Sequence, residues 1–283
     1  MRRFLPVVLL SLAFAAGCGR SAKQVNEVVA VSVAKLPAGP ADPQWGALPE
    51  HKAALLLQDL VEPRLLKPST AEVRVRAAAS GSEIAFRLAW ADPVVNDLPG
   101  PGRFPDGCAV QIPRVHDANP PDPQMGQDAK PVEITFWRAD WQASVNGRPD
   151  TIRALYPNAT VDHYPFEAKP LDPGSAAQKE MARRYAPAEA AGNRRAGPRE
   201  FPVEDLLAEG PGTLAPDPAG SSRGRGERTK DGWSVLIVRK LPAGLAPKER
   251  TQIAFAVWEG SRAEAGARKM RTGWIPLSLQ EAR

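Results

Sequence analysis

The chain has 283 residues, with 37 Lys and Arg against 32 Asp and Glu, 30 prolines and two cysteines. Near-balanced charge without interleaved aromatics excludes a nucleic-acid binder, and two cysteines exclude a disulfide framework. An apolar core must hold the fold, and about 260 residues after the N-terminal segment suffice for one large domain.

"MRRFLPVVLLSLAFAAGC" opens the chain, with Arg2 and Arg3, an apolar run from Phe4 to Ala16, then Gly17-Cys18. A basic start, a short apolar run and small residues before a cleavage point make a secretory signal over 1–17. The run falls short of the roughly 20 apolar residues of a membrane-spanning helix. "FAAGC" resembles a bacterial lipobox, so Cys18 is expected to carry lipid and begin the mature chain; an incidental cysteine after a plain signal is the bland alternative. Gly19, rather than Asp, favours the outer membrane by analogy. The expectation is an exported, periplasmic, lipid-anchored protein in which Cys108 has no disulfide partner.

Residues 18–40 are polar and small and read as a lipidated tether, leaving 41–283 as the folded domain. "HKAALLLQDLVEPRLL" fits either a strand or a short helix ended by Pro63. Val73 and Val75, then Ile84, Phe86 and Leu88, alternate with other residues on either side of Gly81-Ser82. Period two around a turn predicts a β-hairpin. "GCAVQIP" (107–113) and "VEITFWRADW" (132–141) are further strands. "WSVLIVRKL" (233–241) and "TQIAFAVWEG" (251–260) are expected to pair antiparallel, and "TGWIPLSLQ" (272–280) is the last strand. Residues 172–201 read as an excursion with a helix from Ser175 to Tyr185. "SSRGRGERTK" (221–230) reads as a solvated basic loop. Short strands at this spacing predict a mainly β chain, a two-sheet β-sandwich with a few short helices and long Pro/Gly-rich loops.

Catalytic motifs are missing. His51, His116 and His163 lack metal-site spacing, no G-x-S-x-G lies between a strand and a helix, and no C-x-x-C-H offers covalent haem attachment. Met125 stands out, because "NPPDPQMGQDAK" places a thioether in a polar, proline-stiffened loop rather than in a core gap.

Seven segments in order resemble a known family. They are "IAFRLAWAD" (84–92), "FPDGCAVQIP" (104–113), "PQMGQDAKPVEITFWRADWQ" (123–142), "VEDLLAEGPGTL" (203–214), "DGWSVLIVRKL" (231–241), "IAFAVWEG" (253–260) and "ARKMRTGWIPLSL" (267–279). Together they resemble the haem-b-binding gamma subunits of periplasmic molybdenum oxidoreductases, the group related to ethylbenzene dehydrogenase. It includes the gamma subunits of dimethylsulfide dehydrogenase, selenate and chlorate reductases and nitrite oxidoreductase relatives.

The resemblance implies non-covalent haem b held in a sandwich by Met and Lys axial ligands. Carried over, Met125 takes the methionine position and Lys269 of "ARKMRTGW" the lysine. Lys240 of "VRKLP" remains a rival, and His116, nine residues before Met125, remains an alternative because His is the commoner haem ligand. Without the resemblance, Met125 reads as a surface loop residue and Lys269 as a solvated strand-end charge.

The family implies an electron-transfer subunit that is not catalytic alone. Its partners would be an iron–sulfur subunit and a molybdopterin catalytic subunit, with a c-type cytochrome or quinol-linked redox partner beyond them. The reading of another class is a haem-free β-sandwich binding module, for carbohydrate or for complex assembly, which should display a row of exposed Trp or Tyr.

Overall fold

A computed structural model describes residues 26–149, 151–158, 172, 174–185 and 199–281. The signal segment, Cys18 and residues 186–198 of the excursion lie outside these residues. Among the described residues, fourteen strands are defined. They are β1 (Val28–Ser32), β2 (His51–Ala54), β3 (Leu56–Leu57), β4 (Glu72–Ser80), β5 (Glu83–Ala91), β6 (Gly107–Pro113) and β7 (Val132–Arg138). The rest are β8 (Val203–Ala208), β9 (Ala215–Pro216), β10 (Arg223–Arg228), β11 (Gly232–Lys240), β12 (Arg250–Trp258), β13 (Met270–Arg271) and β14 (Ile275–Gln280). Three short helices, α1 (Ala139–Val145), α2 (Ile152–Leu155) and α3 (Ala176–Tyr185), complete the set.

The strands form two layers joined through β12. One layer runs β10-β11-β5-β4-β1-β14, and the other runs β12-β6-β7-β8-β9. The first half of β12 pairs with β14 (Ile253 opposite Ile275), whereas its second half pairs with β6 (Phe255 opposite Val110). The expected mainly β sandwich is therefore the observed fold.

Alternation explains the core. Val73, Val75 and Ala77 of β4 and Ile84, Phe86 and Leu88 of β5 face inward. They meet Cys108, Val110 and Ile112 of β6 and Ile253, Phe255 and Val257 of β12, all buried. The β4–β5 hairpin turns where the Gly81-Ser82 signal placed it, with Ala77 opposite Phe86. The 51–66 stretch resolves as strands β2 and β3 rather than a helix, and α3 begins after Ser175, whose hydroxyl accepts the Gln178 amide at 3.1 Å.

Four expectations differ from the structure. β11 and β12 do not pair with each other: β11 lies between β10 and β5, and β12 between β14 and β6. Both strands are buried along most of their length, so alternation could not say which neighbour each takes. Their connection crosses between the layers, pinned by Leu245, which is buried in the core.

The strand at 132 ends at Arg138, and the chain turns into α1. The Arg138 guanidinium donates to both carboxylate oxygens of Asp140, at 2.9 and 2.8 Å, in the first turn of that helix. The basic loop at 221 contains β10, an edge strand. Gly224 and Gly226 are its inward residues, and a Cβ on Gly226 would lie 2.3 Å from the Trp137 ring. Finally, β1 lies within the stretch read as tether, yet it pairs in parallel with both β4 and β14 in the middle of a layer.

The position of β1 yields a prediction. A chain beginning at residue 26 should show the same urea midpoint as one carrying the whole preceding segment. A chain beginning at residue 34 leaves one edge each of β4 and β14 unpaired and should lose on the order of 5 kcal/mol, comparable to a whole domain's stability. Cooperative unfolding at an unchanged midpoint in the shorter chain would show that β1 is dispensable.

Candidate functional site

Antiparallel layers in a sandwich usually turn a polar face to water. The second layer does not. Ala109, Val132, Ile134, Leu206, Ala208 and Trp258 form a buried cluster on its outer side, with Met125, Phe136, Ala256 and Trp274 packed against it. The register sets Ala256 opposite Ala109 and Ala109 opposite Phe136, so two methyl-sized side chains form a low floor across β12 and β6. Phe136 and Trp258, with ring centroids 4.9 Å apart, rise beside it.

Two loops from distant parts of the chain border this face. The first carries Met125, whose backbone is left-handed at φ 72°, followed by Gly126 at φ 81°. A Cβ at Gly126 would come within 2.9 Å of the Lys130 carbonyl and 3.0 Å of that of Ala208, so only glycine lets the turn lie against β8. Three hydrogen bonds tie the loop down. The Gly210 amide donates to Met125 O at 2.9 Å, Gln111 Nε2 to Pro123 O at 2.9 Å, and Trp274 Nε1 to Pro121 O at 2.6 Å. A non-glycine residue persists in the left-handed region when its surroundings over-determine it, and these do.

The second loop carries Lys269. The Gln58 amide donates to Lys269 O at 3.1 Å, and Gln58 Nε2 donates to Ala267 O at 3.1 Å, clamping the loop to the segment after β3. Lys269 Nζ lies 5.2 Å from the centre of the Trp258 ring. Burial first, and then the like charge of Arg271, push the amine down from 10.5 to about 8. Arg271 sits opposite Ala256, which places both on the same outer side of the layer.

Residues 42–270 match the family model described as ethylbenzene dehydrogenase. The chain belongs to the ethylbenzene dehydrogenase family. It is 24% identical to a Haloferax mediterranei protein named as a respiratory nitrate reductase heme subunit (ORF7), over 90% of this chain and 73% of that one. It is also 24% identical to the chlorate reductase subunit gamma of Ideonella dechloratans, over 74% of this chain and 65% of that one. This second match therefore spans just under two thirds of the relative's length. Among solved structures, a family 9 carbohydrate binding module from Caldicellulosiruptor kristjanssonii with cellotriose superposes at a TM-score of 0.39 with 10% identity, covering 90% of this chain and 94% of that one. A superposition that low carries no argument about this chain.

Of the four candidate ligands, the fold brings Met125 and Lys269 to one apolar face. Lys240 lies exposed at the end of β11 in the other layer, and His116 is exposed with its ring against Gly244. A thioether and a partly desolvated amine bordering a buried apolar face suit a flat, largely apolar metal macrocycle, so the residues present fit haem. Reading the sequence missed Gln111, which carried a signal as the one amide in the otherwise apolar run "GCAVQIP".

A second cluster lies at the ends of β5, β6 and β12. The carboxylates of Asp92, Asp106 and Glu259 are buried, with one oxygen of each within 4.8 Å of the others. Asp106 accepts from the Asn96 and Gly260 amides, each at 2.9 Å, and from Trp233 Nε1 at 3.0 Å, so it joins the two layers. Asp92 Oδ1 accepts the Val94 amide at 3.0 Å, while its Oδ2 has no hydrogen-bond partner among the described residues. Burial, reinforced by Asp106 and Glu259, raises Asp92 to about 7, and burial raises Asp106 to about 6.

Two predictions concern charge. The folded chain keeps protons on Asp92 and Asp106 that the unfolded chain has already released. That stability is fully present below the ordinary value of 3.8 and is lost as pH rises through about 6 and then about 7. Asp92→Asn should flatten the melting temperature between pH 4 and 7 and raise it at pH 8; an unchanged slope would contradict the assignment.

Lys269 runs the other way. Its folded value is depressed, so the penalty of burying it is full below about 8 and shrinks as pH rises towards 10.5. Lys269→Met should stabilise the ligand-free chain at pH 7 by on the order of 2 kcal/mol. Urea titrations at pH 7 and 10.5 check both the gain and its disappearance.

Proposed function

We propose that this chain is a haem-b-binding electron-transfer subunit of a molybdopterin oxidoreductase complex, with Met125 and Lys269 as the axial ligands. The observation that carries the reading is the convergence of these two residues on one buried apolar face outside the sandwich core. Membership of the family, and two relatives named as a heme subunit and as a reductase gamma subunit, support it.

The chemistry suits the residues. A thioether is soft and neutral, so it favours ferrous iron and a raised reduction potential. An amine ligates only without its proton. From an ordinary lysine, removing it at pH 7 costs about 5 kcal/mol; from a value of about 8 the cost is about 1.4 kcal/mol. Bound there, haem would supply a one-electron couple. Met125 and Lys269 would hold the macrocycle, and burial of Lys269 lowers the cost of freeing its amine for ligation.

On this reading the chain is not a catalyst alone. It exchanges single electrons with an iron–sulfur subunit that serves the molybdopterin catalytic subunit, and with a c-type cytochrome or quinol-linked partner on the other side. Export to the periplasm and a lipid on Cys18 belong to the same proposal and rest on the N-terminal sequence. Lipidation would anchor a chain in which, among the described residues, no helix is long and apolar enough to cross a membrane. The haem-free carbohydrate module finds less support, because six of the seven tryptophans are buried and Trp274 is half-buried, leaving no exposed aromatic row of them.

Reconstitution with haem tests the ligands. The parent should show a Soret band and sharp reduced α and β bands of a six-coordinate low-spin iron. Met125→Ala and Lys269→Ala should each lose the sharp bands, and Met125→Ala should lower the potential. Lys240→Ala and His116→Ala should leave the spectrum alone. A parent that stays colourless, or a Met125→Ala spectrum identical to it, overturns the proposal.

A further inference from the structure

The segment around Lys269 holds more positive charge than its surroundings neutralise. Arg268, Lys269 and Arg271 lie within four residues, and among the described residues none of them forms a salt bridge. The Nε atoms of Arg268 and Arg271 are buried without a hydrogen-bond partner. Arg271 makes one long bond, Nη1 to Thr272 O at 3.5 Å, while Arg268 lies over the Phe104 ring at 6.0 Å.

Buried guanidinium groups are normally matched by a carboxylate or phosphate, because an unsatisfied charged donor costs more than a neutral one. This chain has the acids to match them. Arg239, a buried arginine between the layers, is paired with Glu133. Among the described residues, the two half-buried guanidinium groups beside Lys269 have no such partner, at the edge of the apolar face.

The position of Arg271 selects it. In β13 it stands opposite Ala256, so its side chain leaves the layer on the outer side, beside the floor of Ala256 and Ala109. Met270, its neighbour, points the other way into the sandwich core. Leu56 of β3 is paired with Arg271 on its far side and is 58% exposed, so in the register Arg271 stands between the Ala256 floor and an exposed rim. A ligand with an apolar body and anionic edge groups would place the body on the floor and one anion at this rim.

We propose that Arg271 binds a carboxylate of the ligand seated on this face, so that a haem there is oriented with a propionate towards the Lys269 edge. The inference rests on the haem reading of the site and adds which edge of the macrocycle faces the β3–β13 rim. A guanidinium offers two parallel donors to a carboxylate, a geometry an ester cannot accept with the same charge.

The full chain, purified without haem, is titrated with iron protoporphyrin IX and with its dimethyl ester, and each affinity is read from the Soret absorbance. The parent should prefer the free acid by about 10- to 100-fold, the range for a charge-assisted hydrogen bond. In Arg271→Leu, affinity for the free acid should fall by a similar factor while affinity for the ester stays near the parent's. The low-spin bands should survive, since neither ligand is changed. Equal affinity of the parent for acid and ester overturns the Arg271 assignment alone, and this comparison needs no variant to fold. Retained preference in Arg271→Leu overturns it as well. Failure of the parent to bind either porphyrin overturns the haem reading itself.

Discussion

One layer of this sandwich carries apolar side chains on both faces, and the outer face lies where water would ordinarily be. The inner face of β6, β7, β8 and β12 builds the common core with the opposite layer. The outer face, with Ala109, Ile134, Leu206 and Trp258, leaves a second apolar surface that the sandwich fold does not itself require. Other features follow from covering it. The Met125 turn is held against β8 by a glycine no other residue could replace, and Trp274 and Gln111 fasten the same loop from β12's neighbourhood and from the sheet.

Lys269 turns that surface into something other than a small auxiliary core. A core would place a leucine there. An amine beside an indole, lowered to about 8 by burial, costs stability in the ligand-free chain. Arg271 adds to that cost by repulsion.

The opposite electrostatic arrangement stands at the corner where β5, β6 and β12 end. There three carboxylates are buried together, and Asp106 connects the indole of Trp233 in one layer with the turn after β12 in the other. Its backbone carbonyl also accepts the Ala139 amide at the start of α1, so the corner sets where the second layer leaves strand for helix. Burial is tolerated because protons, and the amides of Asn96, Val94 and Gly260, take up much of the charge.

Local pattern carried a good part of this protein. Alternation on both sides of Gly81-Ser82 specified the β4–β5 hairpin, the run "GCAVQIP" specified β6, and Ile275, Leu277 and Leu279 specified β14, because a period of two names the buried side of a strand without reference to anything distant. The oddity of a methionine among prolines was equally local. What the sequence did not contain was the identity of neighbours. Strand β1 lies in an apolar, β-branched run, "VVAVSV" (28–33), whose local signal could not name β4 and β14 as its neighbours, and two-sided burial of β11 and β12 erases the alternation that would separate them. That Lys269 and not Lys240 lies beside the apolar face belonged to tertiary structure for the same reason. Both are lysines near strand ends, and desolvation beside Trp258 exists only once β12, β13 and the Met125 loop have come together.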